Sequence, residues 1–355
     1  MPRLSDTIGR LASQRAANAA QGYGHADRLS DLADFGANPG NLRARTYVPA
    51  SLPPRPALVV VLHGCTQSAA GYDQGSGWSQ LADEAGFILL FPEQQRANNP
   101  NLCFNWFAAE DIDGAYGEAA SIRAMIAAMG EAHGIDPSRV FVTGLSAGGA
   151  MAAVMLAKYP EVFAGGAIIG GLPFGTARGV AQALERMRGR DLPDAAALTA
   201  GVRRASAHAG PWPTLSVWHG DADATVHPAN AEALLAQWRG LFEIGGTPSS
   251  EALVGGNPHR IWRDQHGRAV IEDHRILSMG HGTPIATGGP EACGQAGPFM
   301  LDVGLSSTRR IAASWGIARA VGEPVQRARP NAGNDRETGV AGVINDALRA
   351  AGLLR

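Results

Sequence analysis

Residues 140–151 read VFVTGLSAGGAM. A β-branched and aromatic run, Val140 to Thr143, ends at Gly144, and an Ala/Met-rich segment with helical character opens after Gly149. The five residues from Gly144 to Gly148 fit G-x-S-x-G, the pattern of a nucleophile elbow, in which a serine is held on a strained strand-to-helix turn. With 46 Gly among 355 residues, chance supplies roughly 0.3 such matches per chain. The five letters therefore gain weight only from the strand before them and the helix after them. Flanking residues without bulk let a tight turn hold Ser146 in an unusual conformation, its hydroxyl free at the head of a helix. The helix N-terminus adds positive potential at that point.

The same alternation of strand and helix extends along the chain. Runs rich in Val, Ile and Leu at 42–48, 57–63, 87–91, 139–143, 164–169, 214–219 and 270–278 read as strands. Helix-period segments lie at 78–84, 118–133, 147–159, 229–238, 308–320 and 340–350. This βα order predicts an α/β fold, a mostly parallel central sheet covered by helices on both faces. Residues 173–213, rich in Ala and Arg and bracketed by Pro and Gly, break the rhythm and read as a small helical insertion over the C-terminal edge of the sheet. Leu4, Ile8 and Leu11 at helical spacing predict that residues 1–40 hold a helical extension. Residues 41–355 then form one catalytic domain, with a loop at 322–333 before the last helix; no repeat or linker marks a second.

Thirty Lys+Arg against thirty-two Asp+Glu give a net charge of -2, and no basic stripe with interleaved aromatics is present, which argues against nucleic acid as a partner. No apolar run approaches the 18 or so residues of a membrane span; the longest, around 148–157, reads as a buried helix. The N-terminus has no apolar leader core, so the expectation is a cytoplasmic protein, or a secreted one if that end has been trimmed. Cys65, Cys103 and Cys293 show no metal-ligand spacing. Neither metal nor cofactor is expected.

A serine hydroxyl attacks well only when a histidine takes its proton and a carboxylate orients that histidine. In the elbow-bearing folds the three follow in the order Ser, acid, His. Downstream of Ser146, LSVWHGDAD at 215–223 is a strand running into an acidic turn, where both Asp221 and Asp223 qualify as the acid. Asp223 lies farther past the strand and can turn back, while Asp221 can fix the turn. His281, flanked by Gly280 and Gly282 after an apolar run, is the candidate base; His219 and His227 are rivals near the acid, but His219 precedes both aspartates. Two donors are needed for the oxyanion, and the backbone amides of Ala147 and of Cys65, in the turn after strand 57–63, are the candidates.

At this point the residues resemble the polyhydroxybutyrate depolymerase type of serine esterase, an α/β-hydrolase group related to feruloyl and acetylxylan esterases. The likeness is carried by LHGCTQ at 62–67, SGW at 76–78, FPEQQ at 91–95, CFNWF at 103–107, the elbow, YPEVF at 159–163, GDADATV at 220–226 and GHG at 280–282. It implies Ser146 as nucleophile, Asp223 rather than Asp221 as acid, His281 as base, and Cys65 with Ala147 at the oxyanion hole. It also implies that Cys65 and Cys103 are close enough for a disulfide, and that Phe104, Trp106 and Phe107 wall an acyl pocket. Secreted polymer depolymerases of this type carry a linker and a separate polymer-binding domain, which this chain does not show. The expectation is hydrolysis of short hydroxyalkanoate esters, polyhydroxybutyrate-type polyester or its oligomers through an acyl-enzyme. The alternatives are feruloyl or acetylxylan ester hydrolysis and, in a different class, an inactive scaffold that binds a ligand.

Overall fold

The computed structural model describes residues 27–320; the segments read as helices around Leu4 to Leu11 and at 340–350, and the loop read at 322–333, lie outside the described residues. In chain order the strands are β1 (Ser30–Asp31), β2 (Arg43–Tyr47), β3 (Leu58–Leu62), β4 (Ile88–Glu93), β5 (Val140–Leu145), β6 (Gly165–Ile169), β7 (Thr214–Gly220), β8 (Ser250–Val254), β9 (Asn257–Arg263), β10 (Ala269–Ile276), β11 (Thr283–Ile285) and β12 (Met300–Asp302). The helices are α1 (Ala69–Ser76), α2 (Trp78–Ala85), α3 (Ala109–Ile112), α4 (Gly117–His133), α5 (Ala147–Lys158), α6 (Val180–Met187), α7 (Ala195–Ala205), α8 (Ala229–Phe242) and α9 (Ser307–Ser314).

Ten strands form one sheet in the order β1-β2-β4-β3-β5-β6-β7-β10-β9-β8. From β4 to β10 every neighbouring pair is parallel, and antiparallel strands close both edges. The central strands show why. LVVVL in β3 and VFVTGL in β5 are buried along their whole length, so both faces must be covered, and the helices of the crossovers cover them. α5, which follows the elbow, is buried from Ala147 to Ala157 and apolar all round, the mark of a helix packed inside the molecule rather than on it. The core is thereby divided by the sheet into two layers, one holding α4, α5 and α8 and the other α1, α2 and α9.

Two sequence readings need correction. Residues 27–40, read as part of a helical extension, carry no helix; Ser30–Asp31 pairs antiparallel with Thr46 and Arg45, and Gly36, Pro39 and Gly40 interrupt any helical run that would follow. The last helix read at 308–320 ends at Ser314. Between β6 and β7, residues 173–213 hold α6 and α7. α7 docks on α8 through Gln237, whose Nε2 donates to the carbonyls of Leu198 and Phe174 at 3.0 Å each.

Candidate active site

Ser146 stands between β5 and α5 with φ 57° and ψ -118°. A positive φ in a residue with a side chain costs about 1–3 kcal/mol unless the surroundings fix it. Here they do. The Ser146 N–H donates to the Ile169 carbonyl at 2.9 Å, and its own carbonyl accepts from Ala150 N–H at 2.8 Å, the first turn of α5. A Cβ on Gly144 would collide with the Gly148 backbone, and one on Gly148 with the carbonyl oxygens of Leu62 and His63. The ends of β3 and β5 and the start of α5 thus meet backbone to backbone, leaving the serine as the residue that projects.

The two aspartates after β7 have separate partners. Asp221 Oδ1 accepts from the Ser278 amide at 2.6 Å and so pins the turn that leads to His281. Gly220 belongs to the same joint, because a Cβ there would strike the carbonyls of Met279 and Gly280. Asp223 is buried; its Oδ1 accepts from the amides of Thr225 and Val226, each at 2.8 Å, and its Oδ2 accepts from His281 Nδ1–H at 2.7 Å. Burial raises the Asp223 carboxyl, but the charge and hydrogen bond of His281, the neighbouring His219 and the Val226 amide outweigh it and hold it below the usual carboxylate range. Beneath this pair lies Gly170, with φ 51°; a Cβ there would come within 3.3 Å of His281 Nδ1 and 3.6 Å of Asp223 Oδ2.

Of the rival histidines, His219 is buried beside Asp223, its Nε2–H donating to the Val226 carbonyl at 2.8 Å and lying 3.5 Å from Asp223 Oδ2. Its Nδ1 is buried without a partner, and burial holds the imidazole below its ordinary value. It lies against Asp223 and does not line the cavity that Ser146 enters. His227 accepts the Ala229 amide on Nδ1 at 3.1 Å and does not line the cavity described below.

The turn after β3 is held from several sides. His63 is fully buried; its Nε2 accepts from the Gln94 amide at 3.1 Å, which puts the proton on Nδ1 for the Gly64 carbonyl at 2.8 Å. The Gly64 amide donates to Gln67 Oε1 at 2.8 Å, Thr66 N–H to Asn101 O at 2.7 Å and Gln67 N–H to Gly64 O at 3.3 Å. The Cys65 amide between them has no acceptor among the described residues, and the Ala147 amide, first in α5, has none within its helix. Cys65 and Cys103 are joined by a disulfide with Cα atoms 4.2 Å apart, closing a separation of 38 residues. In the chain-entropy account a loop of that size is worth about 4 kcal/mol. Behind Cys103, the buried Glu118 accepts from Gln94 Nε2 at 2.5 Å, from Asn105 N–H at 2.8 Å and from Asn105 Nδ2 at 2.9 Å. Burial pushes its carboxyl up to about 8 despite those donors.

Ser146, Cys65, Ala147 and His281 line one cavity of about 350 Å³. Trp106 and Phe107, packed edge to face at 5.5 Å, form part of its wall. Phe104 does not: it is wholly buried against the His63 ring, centroids 5.0 Å apart, because the chain turns it inward beneath the turn after β3. The opposite wall was not legible as such. Val180, Ala183, Leu184 and Met187 of α6 all face the cavity, and their i, i+3, i+4, i+7 spacing was the available signal. Phe299, its ring 6.1 Å from that of His281, completes the wall and carries φ 62°. Thr66 and Leu102, each between two lining residues, are also at positive φ. Among the described residues the one grouping of three metal-ligand side chains lies on β9 and β10, and none of its members lines the cavity. No helix among the described residues is long and apolar enough to cross a membrane.

Residues 44–250 match the family described as Esterase PHB depolymerase. The chain is 44% identical over 291 residues to poly(3-hydroxyalkanoate) depolymerase C of Paucimonas lemoignei, covering 81% of this chain and 70% of that protein. It is 33% identical over 253 residues to acetylxylan esterase A of Aspergillus oryzae, covering 67% of this chain and 78% of that one. Among solved structures, an acetyl xylan esterase from Aspergillus awamori superposes with a TM-score of 0.70 at 24% identity, over 82% of this chain and 99% of that one, which speaks for the fold. The chain belongs to the esterase PHB depolymerase family and is a carboxylic ester hydrolase of the α/β-hydrolase fold.

Proposed function

We propose that Ser146 attacks the ester carbonyl, His281 takes the serine proton and passes it to the leaving alcohol, and Asp223 holds the imidazole in the required tautomer. The observation that carries this reading is the 2.7 Å hydrogen bond from His281 Nδ1–H to Asp223, made at the edge of the cavity that Ser146 enters on a strained turn. With Nδ1 protonated, the other ring nitrogen is the basic one. The amides of Cys65 and Ala147 receive the oxyanion of the tetrahedral intermediate. Water then repeats the attack on the acyl-enzyme, His281 again moving the proton, and the acid leaves.

We propose short hydroxyalkanoate esters, including oligomers of polyhydroxybutyrate type, as substrates. Among the described residues no Asp, Glu, Lys or Arg lines the cavity, so a charged acyl group would lose its hydration there without a partner, whereas a neutral aliphatic ester loses little. The relative with 44% identity is named for poly(3-hydroxyalkanoate) depolymerisation, which favours the same class. A second reading, removal of acetyl or feruloyl groups, draws support from the acetylxylan esterase relatives and from the Trp106–Phe107 pair, two rings that an aromatic acyl group can pack against. Rates on hydroxybutyrate oligomers, acetylated xylan and methyl ferulate separate the readings. The proposal expects kcat/KM highest on the oligomers, and a preference for methyl ferulate or acetylxylan overturns the substrate assignment.

A further inference from the structure

At the far edge of the sheet, three side chains of metal-binding type converge on one face. His259 of β9 and His274 of β10 are direct partners across the antiparallel ladder. Glu272 precedes His274 by two residues, so the pleat returns it to the same face. The Nε2 atoms of both imidazoles approach the same carboxylate oxygen, Glu272 Oε2, at 3.4 Å from His259 and 3.3 Å from His274. All three ligand atoms lie within 4.8 Å of one another.

An ordinary ion pair leaves part of this unexplained. His259 Nε2 is buried and makes no hydrogen bond, although it points into the cluster. The separations suit a different partner: a tetrahedral ion with bonds of about 2.0–2.1 Å sets neighbouring ligand atoms about 3.3–3.4 Å apart. Two ring nitrogens with one carboxylate oxygen are a donor set for borderline cations such as zinc, nickel or copper rather than for calcium or magnesium.

We propose that His259, Glu272 and His274 form a binding site for a divalent transition-metal cation of the zinc type, with water completing its coordination. The two imidazoles stack at 4.1 Å and 15°, so their ring nitrogens point nearly side by side. Binding turns the rings about χ2 until both lone pairs meet at the ion. His259 and Glu272, with side chains 15% and 20% exposed, give the route in from solvent. The ion would fasten β9 to β10, and β10 runs on into the turn that carries His281. None of the three ligands touches the catalytic cavity.

The inner face of the site supplies a reporter. Trp218 stacks on His274 at 3.6 Å and 8°, so a paramagnetic ion such as Cu²⁺ held there quenches its emission. The test uses the full chain, freed of metal by chelation and titrated with Zn²⁺ by calorimetry and with Cu²⁺ by tryptophan fluorescence at about pH 7.5. The expected result is saturable one-to-one binding, weakened at least about tenfold in both His259→Asn and Glu272→Gln. These partly exposed positions are chosen over the buried His274 so that the fold survives, and unaltered ester hydrolysis in both variants checks that it does. Absence of saturable Zn²⁺ binding up to about 1 mM, or affinity unchanged in both variants, overturns the proposal.

Discussion

β3 and β8 each contain five residues, yet LVVVL is buried at every position while SEALV is exposed or half-exposed at every position. The two ends of this contrast are held together by different means. In the middle of the sheet, backbones touch: Gly144 and Gly148 leave no room for a methyl group, and the elbow is fixed by that contact. Toward the β8 edge the backbone ladder is supplemented by side chains, which tie β9 and β10 to each other and to α8. Arg260 bridges Asp273 at 2.7 Å and Glu232 at 2.8 Å, and Arg275 reaches the same two carboxylates. Placement by backbone contact is accurate and intolerant of change, which suits a nucleophile. Placement by paired side chains is adaptable, which suits an edge.

The largest effect should come from the centre. Ser146→Ala removes one oxygen and should lower kcat on p-nitrophenyl esters by about 10⁴-fold or more with the fold intact. Turnover that survives this change means that Ser146 is not the nucleophile. Next comes Gly148→Ala, a single methyl group aimed at two carbonyl oxygens, which should cost at least about 3 kcal/mol in urea unfolding and most of the activity with it. A stable, active Gly148→Ala protein would show that the elbow relaxes, and the contrast drawn above would fail.

A third expectation concerns acid. His63 and His219, both buried in the middle of the molecule, are held below the ordinary histidine value of 6.5 by burial. The unfolded chain therefore binds protons there before the folded one does. Their contribution to stability is complete above about 6.5 and is lost as pH falls below it. Asp223, lowered from 3.8, keeps its contribution until pH drops beneath that value. These two histidines should thus pull the melting temperature down between about pH 6.5 and 4 while Asp223 is still ionised, against the opposite pull of Glu118, raised to about 8, and Asp73, raised to about 6, so the readout is a difference: His219→Gln should lose less stability than wild type over that range. An identical slope in wild type and variant would assign the acid sensitivity elsewhere. The smallest effect belongs to the edge: Leu253→Ala, at a side chain 72% exposed in β8, should change stability by no more than about 0.5 kcal/mol. A larger loss there would reveal that this edge is covered in solution.

The same contrast governs what can be read from letters alone. Buried parallel strands need residues that tolerate burial on both faces, so β3 stands out as an unbroken Val and Leu run and β4 and β5 as mostly apolar ones. β8 is exposed or half-exposed throughout and β9 mostly half-buried, both carry charges, and NPHRIWR does not announce a strand. α1, AAGYDQGS, lacks helical periodicity and depends on Ser68, whose Oγ accepts the Gly71 amide at 3.2 Å. At the site, residue type and order singled out Ser146 and His281 as candidates. They left Asp221 and Asp223 open, because the two carboxylates differ in which groups they meet across the fold, the Ser278 amide for one and His281 for the other. Phe104 and Trp106 look alike as pocket aromatics, and only the path of the backbone turns the first into the core. Gly170 is one glycine among many until His281 is seen lying over it.

The cavity has two unlike jaws. On the Trp106–Phe107 side, a covalent link through Cys65 and Cys103 and a cluster of buried amides around Glu118 clamp the wall to the sheet. On the other side stands α6, two turns of helix on a connection between strands, with Val180 59% exposed and only Ala183 buried. On the proposed mechanism, any widening that admits a bulkier acyl group therefore falls to α6, while the Cys65 and Ala147 amides keep their station. Chain-length preference in this esterase can drift by exchanging four side chains on one helical stripe, and the machinery that breaks the ester bond need not notice.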